Sequence, residues 1–278
     1  MDRIPPMAQD IGSVDQLSPK MLAGSTPPII AVVNQKGGVG KTTTAINLAA
    51  ALAELGHPTL LVDLDPQANS TSGLGLDPAR ARFNVYHLLT GEASVEQVMQ
   101  PVAPARLYLI PSHIDLAGAE IELAAVDARE SLLRRALGAV PPHNIECVLI
   151  DCPPSLGLLT LNALTAASGM LIPTQCEYFA LEGLRHLMYT HQLVRSRLNP
   201  RLAIAGIVMT QFDARTTLAW DVLASVRRSH PHHVLETLIP RNVRLSEAPS
   251  HGQSVLEYDP TCRGALAYRA LAKELLER

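Results

Sequence analysis

From Ile29 onward, short apolar runs alternate with longer stretches of helical periodicity. Ile29–Asn34, Thr59–Asp63, Leu107–Pro111, Cys147–Asp151, Met170–Thr174, Ile204–Thr210 and Val234–Ile239 read as buried strands. Helical patterns fall at Lys41–Leu55 (closed by Gly56), Ala128–Ala139, Leu158–Ala167, Ala180–Leu198, Thr217–Ser229 and Gly264–Glu277. Strands that are apolar throughout and separated by helices imply right-handed crossovers. The expected fold class is α/β, a mostly parallel twisted sheet with helices on both faces. No repeat and no linker interrupts residues 29–278, so they are expected to form a single domain. Met1–Pro28 is rich in Pro, Ser, Asp and Gln and lacks sustained periodicity, which predicts a mobile, disordered extension. Within it residues 14–23 have the pattern for a helical turn or two, and a partner-binding role is the alternative to a plain tail.

Composition sharpens this picture. The chain has 278 residues, 47% of them hydrophobic but only 4% aromatic, so Ala, Leu, Val and Ile must build the core. The net charge of −3 conceals an asymmetry: residues 177–278 carry 13 Lys and Arg against 10 Asp and Glu, and six of the ten histidines. A basic face is therefore expected in the C-terminal part. Cys147, Cys152, Cys176 and Cys262 lack C-x-x-C spacing, and three lie in or beside strand-like runs. Buried, reduced thiols are expected rather than a metal or redox site. No apolar run spans a bilayer, and the N-terminus lacks the apolar centre of a signal peptide, which predicts a cytoplasmic protein.

The chemistry concentrates in three places. Lys36-Gly37-Gly38-Val39-Gly40-Lys41-Thr42-Thr43 follows a strand and opens a helix, the context of a phosphate-binding loop. Glycines let successive N–H groups turn inward toward phosphate oxygens, and the helix N-terminus adds partial positive charge. Lys41 is expected on the β- and γ-phosphates of ATP, Thr42 on Mg2+, and Thr43 on the α-phosphate. An apolar strand ends in Asp151, followed by Cys152-Pro153-Pro154, and so presents a carboxylate for Mg2+. Asp63 and Asp65, two residues apart, share one side of an extended segment.

Gln35 stands where the ordinary loop pattern has Gly, and a second lysine, Lys36, precedes the Gly-Gly pair. This resembles the deviant Walker A motif of the ParA/MinD/nitrogenase-iron-protein superclass. The resemblance implies that Lys36 crosses a dimer interface to the partner's nucleotide, with two ATP molecules sandwiched between subunits. It also implies that Asp65 orients the attacking water and that Asp63 supports the metal and water network. The blocks Asn34–Thr44, Asp63–Asn69, Leu116–Leu123, Asp151–Gly157 and Ile239–Ser250 resemble the ParA/Soj family of chromosome- and plasmid-partitioning ATPases, in its short chromosomal form. Similarity to that family implies adenine contacts at Pro240 and Asn242. It implies a surface for non-specific double-stranded DNA at Arg215, Arg241 and Arg244, with Arg227 and Arg228 as weaker candidates. It further implies a homodimer with ATP, a ParB-like centromere-binding partner that stimulates hydrolysis, association with the nucleoid, and no membrane contact.

Three rivals belong beside this reading. A MinD-like positioning ATPase acting on a membrane or protein cargo needs a basic amphipathic C-terminal helix, whereas Gly264–Arg278 mixes Arg269, Lys273 and Arg278 with Glu274 and Glu277. That stretch is expected to pack on the core instead. An iron–sulfur electron carrier lacks its ligand cysteines, and a scaffold with a dead site is at odds with Lys36, Lys41, Asp65 and Asp151. Amide-forming synthetases share the loop, but no additional catalytic domain is visible in the sequence.

Overall fold

Residues 27–138 and 145–278 are described by a computed structural model. The expected extension lies outside these residues as far as Thr26; Pro28 already accepts a hydrogen bond from the Val148 amide and so belongs to the sheet. In chain order the first elements are β1 (Ile29–Val32), α1 (Lys41–Glu54), β2 (Thr59–Asp63) and α2 (Asn69–Gly73). Then come α3 (Val85–Thr90), α4 (Val95–Val98), β3 (Gln100–Val102), β4 (Leu107–Ile110), α5 (Leu116–Glu122) and α6 (Leu132–Leu137). The middle of the chain supplies β5 (Cys147–Asp151), α7 (Leu158–Ala166), β6 (Gly169–Gln175) and α8 (Ala180–Arg197). The chain closes with β7 (Ala203–Phe212), α9 (Thr217–Ser229), β8 (Val234–Pro240), α10 (Arg244–Glu247), α11 (Val255–Tyr258) and α12 (Arg263–Glu277).

The strands form one sheet in the order β3-β4-β2-β5-β1-β6-β7-β8. Every pairing is parallel except that of β3 with β4. β3 lies at the edge, where Pro101 can be tolerated because one flank needs no ladder donor. Its three residues give too little alternation for the sequence to reveal it.

Side chains leave the strands alternately to two cores, as period-two geometry requires. Ala31, Val33, Leu60, Val62, Val148 and Ile150 pack on one face with α3 and α5 to α9. Ile30, Val32, Leu61, Leu109, Leu149 and Leu171 pack on the other with α1, α11 and α12. This is why the strands read as continuous apolar runs rather than alternating ones. α12 buries Ala265, Tyr268, Leu271, Ala272 and Leu275, and the Tyr268 hydroxyl lies 3.2 Å from Thr44 Oγ1 on α1. The C-terminal helix is thus a core-packing element, as its mixed charges suggested. Among the described residues no helix is long and apolar enough to cross a membrane.

The helix expected over Ala128–Ala139 starts instead as a 3-10 turn, Arg129–Ser131, and α6 ends at Leu137; Ala139 lies outside the described residues. The cysteines are free, with Cys147 and Cys152 buried.

The register of β7 on β6 slips at Met170/Leu171, opposite Gly206. A Cβ at Gly206 would stand 2.7 Å from Cγ of Leu235, which is itself fully buried on the α12 face. Gly206→Ala is therefore expected to lower stability by about 1–3 kcal/mol through overpacking, read as an earlier midpoint in urea with an unchanged slope.

Candidate functional site

In open α/β sheets the crevice beyond the carboxyl ends of the strands is the usual place for a ligand, and the predicted loop lies there. β1 is central, flanked by β5 and β6. The chain leaves it through Asn34 to Gly40 and enters α1 at Lys41. Gly38 (φ 75°) and Gly40 (φ 87°) adopt left-handed backbone that only glycine takes without strain. No side chain caps the first turn of α1, so its N–H groups remain for an anion.

Two neighbouring strands brace the loop. Asn34 Nδ2 donates to the Pro173 carbonyl on β6 (2.7 Å), while its Oδ1 accepts the Lys36 amide (3.0 Å). From β7, Thr210 Oγ1 donates to the Val39 carbonyl (2.8 Å) and Gln211 Nε2 to that of Gly38 (2.7 Å). Gln211 has φ 50°, a strained value for a non-glycine residue, which aims its side chain at the loop. Lys36 is ion-paired with Glu177, just beyond β6, so in this conformation its ammonium rests on its own chain.

Lys41 is buried, 7% exposed, and its Nζ donates to the Lys36 carbonyl at 3.2 Å. Burial lowers its pKa, and the charge of Asp151 pulls it back up. Asp151 ends β5 beside Val32 of β1 and Asp63 of β2. Ser70 Oγ, from α2, donates to its Oδ2 at 2.8 Å. The Thr42 hydroxyl lies near enough to pull its pKa down against the larger upward effect of burial. Its Oδ1 is buried yet makes no hydrogen bond of normal geometry. A buried carboxylate oxygen left without a partner is costly, and a divalent cation would satisfy it. The donor set (a carboxylate with the hydroxyl of Thr42) is the hard-oxygen chemistry that Mg2+ prefers.

The pair read from the sequence as Asp63 and Asp65 divides its work. Asp63 is fully buried; its Oδ2 accepts the amide (2.8 Å) and hydroxyl (2.7 Å) of Thr71, and its Oδ1 the Asp65 amide (3.2 Å). Burial, reinforced by the adjacent Asp151 charge, pushes its pKa up. Asp65 turns the other way: its Oδ1 accepts the Gln67 amide (3.0 Å), and its carbonyl takes the Ser112 hydroxyl (2.7 Å). Ser70, Thr71 and Ser112 were not singled out from the sequence. The available signal was the hydroxyl pair Ser70-Thr71 directly after Asp63–Asn69.

The nucleoside end is less built. Pro240 closes β8, and Asn242 Oδ1 accepts the Arg244 amide at 2.9 Å. The arginines fall into two groups. Arg215 and Arg241 flank Asp213 at the carboxyl ends of β7 and β8, with Arg244 one short turn further on. Arg215 grips Asp213 through two bonds (2.8 and 2.7 Å), which hold that carboxyl down at about 2. Arg244 contacts Glu247 (2.8 Å) and Asp259 (3.3 Å), and Arg241 is exposed. Arg227 and Arg228 end α9, which runs back toward the amino ends of β7 and β8, and Arg227 is paired with Glu236 of β8 (2.6 Å). The structure therefore does not bring them to the first three.

The comparisons with known proteins agree with this geometry. The profile of an AAA domain family matches residues 28–204. The sporulation initiation inhibitor protein Soj of Bacillus subtilis is 53% identical over 89% of this chain and 97% of its own length. The chromosome-partitioning ATPase Soj of Thermus thermophilus is 53% identical over 90% of this chain and 95% of its own. Among solved structures, cobyrinic acid a,c-diamide synthase from Mycobacterium smegmatis with bound ADP and magnesium is 40% identical. It superposes with a TM-score of 0.79 over 90% of this chain and 94% of that one. Loop, carboxylates and near full-length similarity converge, and the chain belongs to the ParA/Soj family of chromosome-partitioning ATPases.

Proposed function

We propose that this ATPase binds Mg2+ and ATP at the loop Lys36–Thr43, closes as a homodimer, holds DNA non-specifically, and lets go on hydrolysis. The observation that carries the site is Asp151 Oδ1, a buried and unpartnered oxygen at the mouth of the loop that holds Lys41. Gly37, Gly38, Val39 and Gly40 supply backbone N–H groups, Lys41 bridges the β- and γ-phosphates, and Thr43 bonds the α-phosphate. Pro240 and Asn242 border the adenine. When bound, Mg2+ neutralises charge on the phosphate oxygens, with Thr42 and Asp151 as its holders. Asp63 acts behind them, fixing Thr71 and the turn that presents Asp65. Asp65 orients the attacking water.

Lys36 exchanges Glu177 for the partner subunit's nucleotide when the dimer closes. An exposed ion pair is worth about 0–1 kcal/mol, so phosphate can displace it readily. The DNA face is Arg215, Arg241 and Arg244, since phosphate contacts need clustered cations rather than base-reading geometry. β7 joins the two ends: Thr210 and Gln211 hold the loop, and Asp213–Arg215 follows within the same segment. Arg227 and Arg228, at the amino ends of the strands, lie apart from this face. A ParB-like centromere-binding protein stimulates hydrolysis and resets the cycle, and nucleoid association follows from the DNA face.

Arg241→Glu tests the surface without disturbing an ion pair that holds the fold. It is expected to weaken ATP-dependent binding to every DNA sequence and to reduce the slope of log K against log salt by about 1. ATP-dependent doubling of mass in light scattering should persist. Unaltered DNA affinity and slope would place the basic surface elsewhere.

A further inference from the structure

Near its carboxyl end β7 carries one residue more than β8 can pair. Met209 lies opposite Leu238 and Phe212 opposite Pro240, so the register shifts between them. A bulge absorbs the surplus, and Gln211 within it takes φ 50°. Glutamine holds left-handed backbone only where its surroundings impose it. Bulges beside functional sites re-aim side chains, and the contacts of the Gln211 carboxamide fit that purpose. Its Nε2 donates to the Gly38 carbonyl of the phosphate loop (2.7 Å), and its Oε1 accepts Gln175 Nε2 from the end of β6 (3.0 Å).

On one side the bulge grips two peptide planes of the loop. Gln211 holds the Gly38 carbonyl, and Thr210 Oγ1 holds that of Val39 (2.8 Å). In a trans peptide the N–H and C=O point opposite ways. The Val39 and Gly40 N–H groups therefore face away from β7, where phosphate oxygens are expected. A phosphate bonded to them acts on the same planes that Thr210 and Gln211 hold, and polarisation strengthens the bonds on both sides together. On its other side the bulge runs straight into the arginine turn. The Phe212 carbonyl accepts the Arg241 amide (3.1 Å). The Asp213 carbonyl accepts the Thr216 amide (3.1 Å) and hydroxyl (3.0 Å). From α9, Trp220 Nε1 donates to the Ala214 carbonyl (3.0 Å), and its ring meets Phe212 edge-on with centroids 5.0 Å apart.

We infer that Gln211 is the positioning residue through which phosphate occupancy of the loop orders the Asp213–Arg215 turn and Arg241 within a single subunit. With the loop occupied, the bulge is held and both arginines stand fixed for phosphate contacts. With the loop empty, the bulge relaxes toward regular pairing and the turn loosens, which gives the two arrangements that coupling between sites requires. The device is separate from dimer closure. Closure sets how many arginine faces meet one duplex, and the bulge sets the order of each face. This rests on the DNA face proposed above and adds the path by which nucleotide reaches it.

Trp220 is the chain's single tryptophan and is 50% exposed, so its emission reports on the turn without a label. The full chain is saturated with Mg-ATP at protein concentrations below and above that at which its mass doubles. The expected result is a shift in Trp220 emission of the same size at both. Gln211→Asn tolerates left-handed backbone, but its amide falls one methylene short of Gly38. This variant should keep its urea midpoint, its mass doubling and an ATP affinity within a few-fold of wild type. It should lose the emission shift, and the ratio of DNA affinities with and without ATP should fall by about fivefold or more, within the ordinary range of coupling between sites. Weaker DNA binding by the same factor in both states, with the ratio intact, marks a merely structural role and overturns the inference. An emission shift that is absent from the wild type, appears only above the doubling concentration, or persists in Gln211→Asn overturns it too. A shift that Gln211→Asn removes, in a wild-type chain that binds no DNA with ATP, overturns the function proposed above and leaves the bulge standing.

Discussion

Lys41→Ala is expected to abolish ATP binding at any practical concentration, while the fold survives. The side chain sits at the floor of the loop, 7% exposed, with its ammonium on the Lys36 carbonyl. Burial already works against its charge, and Asp151 alone does not compensate fully, since the net shift is downward. The phosphates of ATP are the remaining counter-charge. Two charge-assisted contacts at about 1.5–3 kcal/mol each amount to a loss on the order of 10²–10⁴-fold in affinity. Removing Lys41 also leaves Asp151 more exposed to its own desolvation, which argues against any gain in stability large enough to mask the effect. Calorimetric titration with Mg-ATP measures this directly, with circular dichroism as the control for folding. Wild-type affinity in this variant would remove the phosphate-loop assignment.

Asp65→Ala is expected to separate binding from chemistry. The Asp65 carboxylate supports only the Gln67 amide, whereas the wider network runs through its backbone: the carbonyl holds Ser112 and the amide holds Asp63. Those backbone bonds survive truncation, and so does the Thr71 grip on Asp63. ATP affinity should therefore stay within a few-fold of wild type. Loss of a positioned acid–base group typically costs about 10²–10⁴-fold in rate, enough to hold the protein in its ATP state. The expected result is a variant that binds ATP, doubles its mass and remains on DNA without release. Normal phosphate production by this variant would transfer the water-orienting role to another carboxylate.

Much of the architecture was legible because it rests on local pattern. Strands buried on both faces must be apolar over most of their length, and the central ones are, from Ile29–Val32 to Ala203–Phe212, whose polar residues fall near its carboxyl end. The phosphate loop was equally plain, because left-handed backbone at Gly38 and Gly40 demands glycine and the ligand demands Lys41. What the sequence concealed depends on partners far along the chain. Ser70 meets Asp151 across 81 residues, and Lys36 meets Glu177 across 141. Neither separation follows a helical or strand period, so no pattern announces it. The partners of Asp63 and Asp65 were hidden for the same reason: spacing places the two on one side of a strand, whereas Thr71 holds the Asp63 carboxylate and Ser112 the Asp65 carbonyl. Resemblance to the family singled out Arg215, Arg241 and Arg244 and left Arg227 and Arg228 as weaker candidates for the same basic surface. The return of α9 to the amino ends of β7 and β8 separates Arg227 and Arg228 from Arg215, Arg241 and Arg244 at the carboxyl ends.

DNA binding by the purified chain with ATP, with ADP and without nucleotide, each at low and moderate salt, is the most direct measurement of the coupling between nucleotide and DNA. Salt-sensitive binding in the ATP state alone is the predicted result, because the loop and the arginine face share β7 and only the closed dimer doubles the phosphate contacts. Equal binding in all three states, or none in any, would contradict the coupling of nucleotide to DNA that the whole reading requires.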